Sequence, residues 1–148
     1  MNRPILPPML KASIYLTMVV LAASGIVIKL DQTLWVLHTA FGDQPNPGLA
    51  HALALHGAAT QIFLILAGCM LIRHILPRWS YQHNRLSGLI LLALLSTLIV
   101  SGWALYYLSN EQLHNISASL HFWAGCILGI SFLLHIPLKQ KIHNRNKT

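Results

Sequence analysis

Four apolar runs, each long enough to cross a lipid bilayer, restrict this chain more than any other feature. A helix rises about 1.5 Å per residue, so about 20 apolar residues span a hydrocarbon core roughly 30 Å thick. Inside lipid the backbone must satisfy its own polar groups, and α-helices do this for runs of such length. The runs cover residues 11–30, 50–76, 86–108 and 118–138. Of the 148 residues, 55% are hydrophobic and only 9% charged, which leaves no soluble domain over. The expected architecture is all-α: one integral membrane domain over residues 1–148, an up-and-down four-helix bundle.

The basic residues orient it. With four spans, nine of the ten Lys and Arg residues fall on one side: Arg3 and Lys11, then Arg73, Arg78 and Arg85, then Lys139, Lys141, Arg145 and Lys147. Lys29 is the exception, and the three acids, Asp31, Asp43 and Glu111, fall opposite. Basic loops stay cytoplasmic, so both termini are predicted inside a bacterial cytoplasmic membrane. A net charge of +7 in a soluble protein would suggest nucleic acid. Here the charge sits in loops and tails beside no groove-reading motif, so membrane lipid is the predicted contact and nucleic acid is not.

The first run also has marks of a signal peptide, a basic start and Ala22-Ala23-Ser24. It is long for that role, and the charge pattern requires it to stay as a span. Loops are expected at Asp31 to Gly48, with an interfacial Leu34-Trp35 segment and turn chemistry at 43–48, at Arg78 to Arg85, and at Ser109 to Ser117. The tail to Thr148 reads as basic and mobile. Cys69 and Cys126 lie inside apolar runs and form no C-x-x-C or C-x-x-C-H pattern, which excludes covalent haem attachment and zinc-finger chemistry.

Histidine is the chemistry-bearing residue. His121 and His135 on the last span are fourteen residues apart, about 40° short of four turns and about 21 Å along the axis. His56 and His74 on the second span are eighteen apart, five α-turns and about 27 Å. The second and fourth spans run the same way. His56 therefore pairs in level with His121 near the outer surface, and His74 with His135 near the inner one. Paired neutral imidazoles suit the axial positions of a haem iron, so two haems b are expected, one above the other. Bis-histidine iron has no open position and favours electron transfer.

Glycines without side chains would let a macrocycle approach the helices, and Gly88 and Gly102 repeat the fourteen-residue spacing. Ordinary membrane packing through small residues accounts for glycines equally well. Arg73 and Arg85, with Arg78, are candidates for the inner haem's propionates or for plain anchoring charge. Met70 is an alternative inner ligand at a better height, or a core filler. His38, His83, His114 and His143 read as solvated loop or tail residues, and His51 as an interfacial residue that could assist a quinone.

With these residues in view, the chain resembles the four-helix diheme b-type cytochromes of bacterial membranes. That group includes small cytochrome b561 proteins and the cytochrome b subunits of formate dehydrogenases and hydrogenases. The likeness runs over nearly the whole chain and is most specific at His121 and His135, then His56, Asn84-Arg85-Leu86-Ser87-Gly88, Gly102 and Tyr106-Tyr107. The family usually takes its fourth ligand from the first helix, and Lys11 to Thr17 holds no histidine, so His74 stands in for it. The resemblance implies exchange of electrons between a quinone pool and a periplasmic or membrane redox partner. Its alternative is a stand-alone superoxide:quinone oxidoreductase. Outside that family, a histidine-lined metal transporter or a haem-free membrane anchor are the rival readings.

Overall fold

The computed structural model describes residues 7–78 and 85–145; of residues 74, 78, 85–87 and 133–145 it describes the backbone alone. Helix α1 spans Pro8–Thr33, a short hairpin pairs β1 (Leu37–Thr39) with β2 (Gly42–Gln44), and α2 spans Gly48–Met70. A π-helical turn, Leu71–Ile75, and a three-residue α3, Leu76–Arg78, continue from α2. Then come α4 (Arg85–Tyr107) and α5 (Glu111–Arg145). The expected middle loop, at 79–84, lies outside the described residues.

Four helices are long and apolar enough to cross a membrane: Pro8–Thr33, Gly48–Arg73, Gly88–Tyr107 and Glu111–Phe132. Each is apolar nearly all round, as a span is and a water-facing helix is not. Leu16, Ile65, Val100 and Ile130 point outward, where lipid would suit them. The chain divides into two compact units, Met1–Ser80 and Tyr81–Thr148. In the first, α1 packs along α2; in the second, α4 packs along α5.

Small residues make these seams. Ala52 and Ala59 are buried on α2, and Thr17, Ser24 and Asp31 recur every seven residues along the buried face of α1. In the second unit Ser101 of α4 is buried, with Ala124 and Leu128 of α5. Short side chains let two backbones approach, which is how helices associate without a hydrophobic drive between them. The hydroxyls are satisfied locally. Thr17, Thr60, Ser96 and Thr97 each donate to the carbonyl four residues back, removing a cost that a bare hydroxyl would carry in lipid.

Three boundaries differ from the sequence reading. Asp31 is not the first loop residue: it sits inside α1 and is 3% exposed. The loop over Ser109 to Ser117 shrinks to Leu108–Asn110, because Asn110 caps α5. Its Oδ1 accepts the Leu113 N–H at 3.0 Å, and Glu111 in the first turn suits the positive end of the helix dipole. His114 is consequently helical. At the other end α5 continues through Pro137 to Arg145, where a mobile tail was expected. The stretch Leu138-Lys139-Gln140-Lys141 is built of strong helix formers.

The first connection also has more order than turn chemistry implied. His38 and Asp43 face each other across the two strands with Nδ1 and Oδ1 2.6 Å apart, both exposed. Gly42 takes φ 99°, a left-handed conformation that glycine adopts without a side-chain clash. Asn46 Oδ1 accepts the Gly48 N–H at 2.9 Å as the chain enters α2.

Removal of the α5 cap is the test of this fold with the clearest magnitude. Asn110→Ala is expected to cost about 1 kcal/mol, read as a lower thermal midpoint in detergent, while Asn115→Ala, on the exposed side of the same helix, holds or raises the midpoint.

Candidate functional site

The imidazole of His56 lies in the α1–α2 seam between Ala52 and Ala59, which sit four residues before it and three after, the spacing of one helix face. Across the seam, its Nδ1 is 2.8 Å from Ser24 Oγ. Ser24 itself donates to the Val20 carbonyl at 2.7 Å and approaches the Leu21 carbonyl at 3.2 Å. The next residue, Gly25, leaves the ring room: a Cβ there would stand 3.4 Å from His56 Cε1.

The second hairpin repeats the arrangement part for part. His121 of α5 lies on the face that carries Ala124 and Leu128, and its Nδ1 is 3.0 Å from Ser101 Oγ on α4. Ser101 donates to the Thr97 carbonyl at 2.6 Å and approaches that of Leu98 at 3.3 Å. A Cβ on Gly102 would stand 3.2 Å from His121 Cε1. Each histidine lies in the half of its span nearer the connection to the preceding helix. Both are half-buried, and both keep a polar partner inside an apolar helix pair, as an intramembrane ionisable group must.

The remaining expected site residues fall as follows. Gly88 faces open space within its unit, with nothing within 4 Å of a Cβ, so of the Gly88/Gly102 pair only Gly102 adjoins a histidine. Arg73 is exposed; the Arg85 side chain lies outside the description, as do those of His74 and His135. His74 sits within the π-helical turn Leu71–Ile75, and this alters the five-turn count. An i→i+5 turn takes in one residue more than an α-turn, so the helix between His56 and His74 is not α-helical throughout, as the count of five α-turns assumed. Met70 closes α2 just before that turn. His51 is exposed, in keeping with an interfacial position.

Two residues escaped the sequence reading, Ser24 and Ser101. The signal was present: Ala-Ser-Gly-Ile on α1 and Val-Ser-Gly-Trp on α4 each precede a helix carrying Leu-His. Ser24 had drawn notice only as the end of a cleavage-like Ala22-Ala23-Ser24. Among the described residues, no three of His, Cys, Asp and Glu come together as a metal-binding group. The donors are single imidazoles, each steadied from behind.

No family model, curated protein or solved structure matches the chain.

The close approach at Gly102 separates this site from ordinary packing. Gly88→Ala should hold or raise the thermal midpoint, since alanine is the better helix former by about 1 kcal/mol. Gly102→Ala should lower it, because its Cβ meets the His121 ring. Equal gains in both variants, measured by thermal unfolding in detergent, would show that the ring is not held against α4.

Proposed function

We propose that this chain is a transmembrane electron-transfer protein that holds haem b, with His56 and His121 as ligands. The observation that carries the reading is the doubled arrangement: an imidazole at the connection-side half of an apolar span, backed at Nδ1 by a serine hydroxyl and faced by a glycine. Structural histidine within a core needs one such partner once. Two copies with the same ring nitrogen engaged are what a pair of axial ligands requires, because a ligating histidine is oriented through its other nitrogen. The group so held would supply a one-electron iron couple with no open coordination position.

A second, inner haem b is part of the proposal, with His74 and His135 as ligands and Arg73 and Arg85 beside its propionates. The sequence spacing of His121 and His135 supports it more strongly than that of His56 and His74. The electron partners follow from the resemblance: a quinone in the membrane and a redox protein outside it. The orientation proposed is that of the charge pattern, both termini cytoplasmic in a bacterial inner membrane.

A pyridine haemochrome assay on protein from haem-sufficient cells tests this directly. Two haems b per chain are expected, falling to one in His56→Ala and in His121→Ala, and to one in His74→Ala. Colourless protein would end the reading. Undiminished haem in His74→Ala alone would remove that residue from the inner site and leave the outer one standing.

A further inference from the structure

We infer that Ser24 and Ser101 are positioning residues that lock His56 and His121 into the same tautomer, with the proton on Nδ1 and the lone pair on Nε2. The inference follows from counting protons. A serine hydroxyl carries one hydrogen and two lone pairs. Ser24 Oγ is 2.7 Å from the Val20 carbonyl oxygen, and Ser101 Oγ is 2.6 Å from that of Thr97. A carbonyl oxygen accepts only, so the hydroxyl hydrogen must lie on that line; otherwise two oxygens would face each other at contact distance with no hydrogen between them. The hydroxyl then has lone pairs alone to offer the imidazole. A contact of 2.8 Å at His56 and 3.0 Å at His121 is thus a hydrogen bond donated by the ring from Nδ1. In a neutral imidazole with Nδ1 protonated, Nε2 is the basic nitrogen.

Coincidence is a poor account of this. The serine and histidine are 32 residues apart in the first hairpin and 20 in the second, because the first connection carries the strand pair. Connections of different length nonetheless deliver the same nitrogen to the same hydroxyl, with a carbonyl of the preceding turn taking the hydroxyl proton each time. The adjacent glycines act in the same direction. A Cβ at Gly102 would press on the His121 ring at 3.2 Å, and one at Gly25 would touch the His56 ring at 3.4 Å, so each imidazole lies against the residue that follows its serine.

The chemistry this prepares is ligation through Nε2, and on that point the inference rests on the haem-binding reading. A ligand whose Nδ1–H is engaged by an acceptor donates more electron density to its metal and keeps one ring plane. The hydroxyl is a modest acceptor, weaker than a carboxylate, so it fixes the plane while leaving the imidazole neutral. Serine also does this without placing a charge in lipid, where a carboxylate would be costly.

The test is nitrogen NMR of full-length protein labelled with ¹⁵N-histidine, in detergent and free of haem. His56 and His121 resonances are assigned by loss in His56→Gln and His121→Gln. Both rings are expected as the Nδ1–H tautomer. Ser24→Ala should release His56 to a mixture of tautomers without altering His121, Ser101→Ala should do the converse, and Ser24→Thr should restore the first. Rings found as the Nε2–H tautomer, or tautomers unmoved in the alanine variants, would overturn the assignment. In haem-loaded protein the alanine variants should raise the midpoint potential, since a less electron-rich ligand disfavours the ferric state. An unchanged potential would remove the electronic role. An Nδ1–H tautomer in protein that never takes up haem would uphold the serine assignment and refute the haem reading.

Discussion

Imidazole inside an apolar helix pair loses the hydrogen bonds that water would give it, and the hydroxyl across the helix seam contributes to replacing them. The rest of each hairpin answers to that contact. Ser24 and Ser101 must be buried to reach the rings, so their own hydrogens are returned to the backbone one turn earlier. The seam must be narrow for a short side chain to bridge it, and so Ala52, Ala59 and Ala124 flank the histidines. The residue after each serine is glycine, and a Cβ there would stand 3.4 Å from the His56 ring at Gly25 and 3.2 Å from the His121 ring at Gly102. In lipid, where apolar surface gives no drive to associate, small residues and polar contacts across the seam are what bring two helices together.

The two hairpins reach this end through different surroundings. The first has a strand pair with an exposed His38–Asp43 bridge and, inside α1, a buried carboxylate at Asp31. The second turns in three residues under an asparagine cap and carries Leu108 at the position seven residues after its serine, where the first has Asp31. What they share is the serine, the glycine after it, and the histidine with a buried alanine three residues on.

Much of the fold could be read from the chain because the membrane imposes simple rules. Run length gave four long apolar helices, and His56 and His121 fall within two of them. Interactions between helices were harder to read. Ser24 looked like part of a processing site because its neighbours in sequence are small, whereas its partner lies 32 residues on. Asn110 sat unnoticed in a polar stretch, since a cap is recognised by the N–H groups it faces. The π-helical turn at Leu71–Ile75 has no compositional mark, so a count of α-turns along the second span could not include it.

The amino-acid order by itself determined the all-α class, the number of long apolar helices and the candidate imidazoles, because hydropathy acts on each segment separately. Tertiary structure decided which nitrogen of each ring is engaged, by which hydroxyl, and which glycines make room for it. Those depend on the rotation of one helix against another. That rotation comes from side chains packing across the seam, which no count along a single helix contains.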